Sequence, residues 1–158
     1  MRHLLGLFLM CMLLAGAAFG QATSPGTMPG IYSASDGQGN WASVGGGYQD
    51  APTVYWSSDN GETAVEVTKP PKLAQYVHHD PSAIGLDRNG FIIVFAAMSV
   101  WNNEKLNWDW YHHYIVSLDR GETWGEWIPT HIIGIFSVTP DHLGHFTVHH
   151  SSDAPEGH

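Results

Sequence analysis

From position 31 onward the chain is a succession of short apolar or alternating runs, each bounded by Asp, Asn, Gly or Ser. Trp41–Val44, Thr53–Trp56 and Ala64–Thr68 form a first group, and Ser82–Leu86, Phe91–Ala97, His113–Ser117 and Trp124–Ile128 a second. Ile132–Val138 and His145–His149 begin a third. Runs of this length with turn residues between them predict strands joined as hairpins. The expected fold is therefore all-β.

The turns repeat as well as the strands. Ser117-Leu118-Asp119-Arg120-Gly121-Glu122-Thr123-Trp124 reads S-x-D-x-G-x-T-W, and Ser57-Ser58-Asp59-Asn60-Gly61-Glu62-Thr63-Ala64 matches it up to the last position. The carboxylates of Asp59 and Asp119 suit backbone N–H groups further along a tight turn. Gly61 and Gly121 supply positive φ, and Ser57, Thr63, Ser117 and Thr123 bring short hydroxyls that bond locally. Trp124 is expected to open the following strand. A second turn type, D-x-x-G, occurs at Asp36–Gly39, Asp87–Gly90 and Asp141–Gly144. The two motifs alternate at a spacing of 50 to 60 residues per repeat, which marks a repeat architecture.

The eight-residue motif resembles the Asp-box, or BNR repeat, of sialidase-like β-propellers. The resemblance implies β-propeller blades of four antiparallel strands, the box turning between the third and fourth. It implies a box that is structural and faces away from the active site. Blade one then covers 31–68, blade two 82–128, and an incomplete blade three 132–158. Sialidase-like propellers have six blades, so the chain reads as a propeller fragment of about two and a half. A break inside a repeat points first to a truncated reading frame; the remaining blades on another chain, or assembly of several copies through open sheet edges, are the alternatives.

Composition narrows the partners. A formal net charge of -9, with 6 Lys and Arg in all, makes nucleic acid and anionic membrane surfaces poor partners. Arg2, the apolar run Leu4–Leu14 and the small-x-small site Ala18-Phe19-Gly20 predict a signal peptide over 1–20, followed by a flexible leader over 21–30. The expected localisation is secreted or periplasmic. Cys11, the single cysteine, leaves with the signal, so no disulfide is expected.

Function is expected on the rim opposite the boxes. There the segment Met98–His112, read as a loop, carries Trp101, Glu104, Trp108, Asp109, Trp110 and Tyr111, and the connection between blades carries Tyr76, His78, His79 and Asp80. Aromatic rings stack on sugar faces while carboxylates and histidines bind hydroxyls. Trp101, Trp108, Trp110, His78 and Asp80 are thus candidate glycan contacts, with packing beneath a long loop as the bland alternative. The resemblance further implies a sialidase machinery of three arginines, a tyrosine nucleophile with a glutamate, and an aspartate acid/base. Beyond the signal only Arg88 and Arg120 remain, both in turns on the box side. Asp109 and Tyr111 are the weak catalytic candidates, and catalysis by this chain alone is not expected.

Histidine is abundant, at 11, with adjacent pairs at His78-His79, His112-His113 and His149-His150. Neighbours on a strand point to opposite sides, so each pair offers one ligand at most, and no metal site or cofactor is expected. Surface histidines in loops are the simpler reading. Two functions stay open: a sialidase-like glycoside hydrolase of which this is a part, and a non-catalytic secreted propeller that binds a glycan or a protein.

Overall fold

The computed structural model describes residues 28–132, 134–141 and 143–151. The expected signal peptide with Cys11, most of the leader, and the chain beyond Ser151 lie outside the described residues. Those described form ten strands and no helix: β1 (Tyr32–Ser35), β2 (Trp41–Gly46), β3 (Pro52–Ser57), β4 (Val65–Glu66), β5 (His78–Leu86), β6 (Ile92–Asn102), β7 (Asn107–Ser117), β8 (Ile128–Thr130), β9 (Ile135–Pro140) and β10 (Phe146–His150). None of them offers a helix long and apolar enough to cross a membrane.

The strands make two four-stranded antiparallel sheets, β1-β2-β3-β4 and β5-β6-β7-β8, and a two-stranded hairpin, β9-β10. Each sheet is a simple up-and-down meander, as the alternation of the two turn motifs predicts. The fourth strands are shorter and differently placed than expected. β4 keeps only Val65–Glu66 of the 64–68 run, and β8 begins at Ile128, so Trp124 follows the turn in irregular backbone and opens no strand. Trp124 and Trp127 instead engage the linker between the two sheets. Their indole N–H groups donate to the carbonyls of Thr68 and Pro71, both at 2.6 Å.

Packing explains the unbroken apolar run in β6. Ile92, Val94, Ala96 and Met98 join Ile84, Leu86, Ile115 and Trp127 in a core shared with Ala42, Val44 and Val54 of the first sheet. Ile93 and Phe95 project to the other side, where Ala83, Val138, Phe146 and Val148 form a second core under the hairpin. The middle sheet is therefore buried on both faces, and a strand with two buried faces loses its polar alternation. Each fully buried Leu or Ile contributes roughly 1.5–3 kcal/mol of transfer free energy, so both faces bind their neighbours firmly.

The first strands of the three sheets run together, with β5 packed against β1 and β9. A cleft of about 310 Å³ opens there, lined in part by Ser33, Ser35, Ser137 and Thr139, and it holds none of the candidate functional residues. A bulge between Pro81 and Ala83 resets the alternation of β5, which brings His79, the ladder partner of Met98, onto the same face as Ile84 and Leu86.

Candidate functional site

The two boxes are built alike, atom for atom. Ser117 Oγ donates to Asp119 Oδ1 (2.8 Å) and accepts the Gly121 N–H (2.8 Å); Ser57 does the same with Asp59 (2.6 Å) and Gly61 (2.9 Å). Each aspartate then takes the backbone N–H and the hydroxyl of its threonine, Thr123 or Thr63. Both residues before the box glycine also adopt positive φ, 63° at Arg120 and 61° at Asn60. That conformation turns their N–H groups onto the neighbouring hairpin. Arg120 donates to the Gly90 carbonyl (3.1 Å) and Asn60 to that of Gly39 (2.9 Å).

Hydroxyl and backbone donors reach both oxygens of each carboxylate. The Ser57 hydroxyl, then Thr63, lowers the Asp59 pKa to about 2, and Thr123 foremost lowers that of Asp119. The guanidinium of Arg120 lies over the Trp56 ring, 5.7 Å from its centroid, which joins the second box to the first sheet.

At the opposite end of the middle sheet the segment read as a loop is strand. β6 and β7 pair without interruption from Ile92↔Ser117 to Asn102↔Asn107, leaving a four-residue turn at the tip. The tip is locked by Asn102, whose Oδ1 accepts the N–H groups of Glu104 (2.9 Å) and Lys105 (3.1 Å) and whose Nδ2 donates to Asp109 (2.7 Å). Lys105 completes it with an ion pair to Asp109 at 3.0 Å. This closed turn extends the hairpin past the core, where a flexible loop was expected.

The extension sorts the candidates by face. Trp101 pairs with Trp108 across the ladder, Ser99 with Trp110 on one side and His78 on the other, and Asp80 with Ala97. Alternation therefore puts Trp101, Trp108, Trp110, His78 and Asp80 on one side of the sheet. Their rings touch. The His78 ring lies 4.7 Å from Trp108 and 6.3 Å from Trp110, and Trp101 meets Trp108 nearly edge-on at 5.3 Å. Tyr48, from the β2–β3 turn of the first sheet, stacks on His78 at 4.6 Å. The run Tyr48–His78–Trp108–Trp101 with Trp110 beside it continues the sheet face that packs under the β9–β10 hairpin at Ile93 and Phe95. Trp101, Trp110 and Tyr48 stay 42%, 49% and 69% exposed, a strong departure for rings of this size.

Asp109 and Tyr111 fall on the other side. Asp109 is tied into the tip, and its hydrogen bond from Asn102, then Lys105, lowers its pKa. A carboxyl held ionised in this way is no general acid. Tyr111 packs on Tyr76 at 5.5 Å, and Tyr76 also meets His79 and His113 edge-on at 6.3 and 5.3 Å. Burial, then the neighbouring Tyr111, raises the Tyr76 pKa.

His79 and His113 overturn the expectation of surface histidines. Both sit in strands and are buried, and each has an Nδ1 without a partner. They occupy core positions because β5 and β7 face the first sheet there. His79 Nε2 accepts the Leu73 N–H at 3.2 Å, which leaves its proton on Nδ1. Burial lowers both pKa values, and that of His112. His131, His145, His149 and His150 are exposed, as expected. Among the described residues no group of His, Cys, Asp and Glu has the geometry to hold a metal.

Tyr48 is the site residue that sequence reasoning missed. The Gly45-Gly46-Gly47 run before it signals a tight turn but not the strand it meets. No protein-family model, curated protein or solved structure matches this chain.

Proposed function

We propose that the chain is a secreted Asp-box β-propeller module that binds glycan through the Tyr48–His78–Trp108–Trp101 face and does not hydrolyse it alone. The observation that carries this reading is a run of touching aromatic rings, largely exposed, with the Asp80 carboxylate on the same face. Exposed ring faces offer C–H stacking to pyranoses, and carboxylate oxygens accept their hydroxyls.

Propeller character is supported by two meanders of four strands with matching boxes, by adjacent first strands, and by sheets stacked face to face. Kinship with sialidase-like exo-glycosidases is proposed for the fold only. Arg120 lies at the box end over Trp56, Arg88 is in the Asp87 turn, and Asp109 and Tyr111 lie across the sheet from the aromatic run. Secretion rests on the N-terminal Arg2, Leu4–Leu14 and Ala18-Phe19-Gly20 pattern.

A glycan array probed with the protein and with the double variant Trp101→Ala/Trp110→Ala tests this. The protein is expected to retain glycans that the variant releases, with no turnover of a fluorogenic sialoside by either. An array with no glycan retained, or retained equally by the variant, contradicts the proposal.

A further inference from the structure

The linker between the two four-stranded sheets is pinned near both ends. Trp127 donates to the Pro71 carbonyl at 2.6 Å, and the Val77 N–H donates to the Ser99 carbonyl at 2.8 Å. Residues 72–76 run between these points. Leu73 donates its N–H to His79 Nε2 at 3.2 Å, and its carbonyl accepts the Tyr76 N–H at 3.1 Å. The Tyr76 ring meets both buried histidines, His79 at 6.3 Å and His113 at 5.3 Å. Leu73 and Tyr76 also pack on the core shared by the sheets, and Lys72 Nζ donates to the Gln49 carbonyl at 2.6 Å. The segment thus lies as a strap over two imidazoles, one of which holds it.

That hold requires a neutral ring. A protonated imidazole donates from both nitrogens and accepts at neither. The Leu73 N–H would then face a second donor. Each ring would also carry a charge with no acceptor, since both Nδ1 atoms are buried and unpartnered among the described residues. The surrounding groups do not relieve this. Lys72 and Tyr76 come from the strap, and Lys69 is engaged with Asp50 at 3.7 Å and Glu66 at 3.9 Å. Asp50 also accepts the Ala51 N–H, and His78 and Asp80 lie on the other face of β5. Tyr111 and His112 accompany His113 on β7, and the ladder partners on β6 are Met98 and Ala96.

We propose that residues 72–76 form an acid-released strap, which opens when His79 and His113 take up protons while the sheets stay folded. With the strap closed, burial, then Lys72, holds the His79 pKa below its ordinary 6.5, and burial holds that of His113 below it too. With the strap open, both rings meet water and titrate at about 6.5. The strap is therefore shut above about pH 6.5 and released as pH falls below that value. Lys72 leaves with it, which removes a positive charge that opposes the His79 proton.

The test is amide hydrogen exchange of the full protein, read by NMR from about pH 7 to about pH 5 and corrected for intrinsic rates. Leu73 and Tyr76 report on the strap, and Val94, paired on both sides in β6, reports on global unfolding. Uptake of two protons at an ordinary pKa of about 6.5 lowers the protection of Leu73 and Tyr76 by about 600-fold over that span, and uptake of one by about 25-fold. At least the smaller fall is expected, with Val94 still protected. In His79→Gln an amide oxygen accepts the Leu73 N–H at any pH, so the fall is expected to shrink by about 25-fold. A smaller fall in the unaltered protein, a fall in step with Val94, or one undiminished in His79→Gln overturns the strap. The comparison with Val94 needs no variant, so it stands even where His79→Gln does not fold.

Discussion

His79 donates its backbone N–H to the carbonyl of Gly47 at 2.9 Å. This single bond joins the first strand of the middle sheet to the turn that carries Tyr48, and so places the Tyr48 ring on His78. Gly47 has φ 101°, and a Cβ there would lie 2.0 Å from the His79 carbonyl oxygen. Gly47→Ala is expected to destabilise the protein by about 1–3 kcal/mol from the backbone conformation alone, with the clash in addition. Urea unfolding measures that loss. Tyrosine-to-tryptophan energy transfer is expected to change with it, because Tyr48 leaves the aromatic run.

Ser117 is buried and its hydroxyl serves three bonds of its box. Ser117→Ala removes the acceptor of the Gly121 N–H, which is buried with it. A loss of about 1–3 kcal/mol is expected for the orphaned donor. The equivalent change Ser57→Ala is expected to cost about as much, since the two boxes share every bond. Denaturant midpoints of the two variants check the equivalence.

The boxes were legible in the sequence because their chemistry is local: Ser, Asp, Gly and Thr bond within four residues of one another. The run Phe91–Ala97 was legible as a strand, but the burial of both faces of β6 came only with the structure, since it depends on the sheets that pack on either side. The hairpin extension was not, since Asn103, Glu104 and Lys105 look like loop residues. The signal that reveals it is the alternation Trp108, Trp110, His112, which has the period of a strand. Tyr48 was invisible because its place depends on a bond between residues distant in sequence. Burial of His79 and His113 was likewise set by which face meets the first sheet, and no local pattern states that.

Two aromatic anchors hold the linker between the sheets. Trp127 is 8% exposed and donates to Pro71; Trp124 is more open and donates to Thr68. Trp127→Phe keeps an apolar ring but leaves the Pro71 carbonyl without its donor, with an expected cost of about 1–3 kcal/mol. Trp124→Phe loses a bond that water replaces and is expected to cost about 0.5–1.5 kcal/mol. Thermal unfolding of the two variants is expected to rank them in that order.

Acid is expected to weaken the fold in two stages. Burial, then Lys72, holds the His79 pKa below its ordinary 6.5, with Asp50 and Asp80 pulling the other way; burial does the same at His113. The unfolded chain therefore takes up these protons first. Stability is complete above about pH 6.5 and is lost as pH falls through that value toward the folded pKa. The carboxylates form the second stage. Asp59 and Asp141, each lowered to about 2, stabilise the fold above their ordinary 3.8 and lose that contribution as pH falls toward 2. Urea midpoints as a function of pH are expected to show both limbs. The upper limb shrinks in His79→Phe, which removes the titrating ring; an unchanged upper limb in that variant contradicts the assignment.

The central claim, that the aromatic run is a glycan-binding face, is tested most directly by the indole N–H resonances of the 7 tryptophans, read by NMR during titration with a bound oligosaccharide. The account predicts progressive shifts at Trp101, Trp108 and Trp110. Trp124 and Trp127, fixed on Thr68 and Pro71, stay in place as internal controls. Shifts confined to Trp124, Trp127, Trp41 or Trp56, with Trp101, Trp108 and Trp110 unmoved at saturation, contradict it.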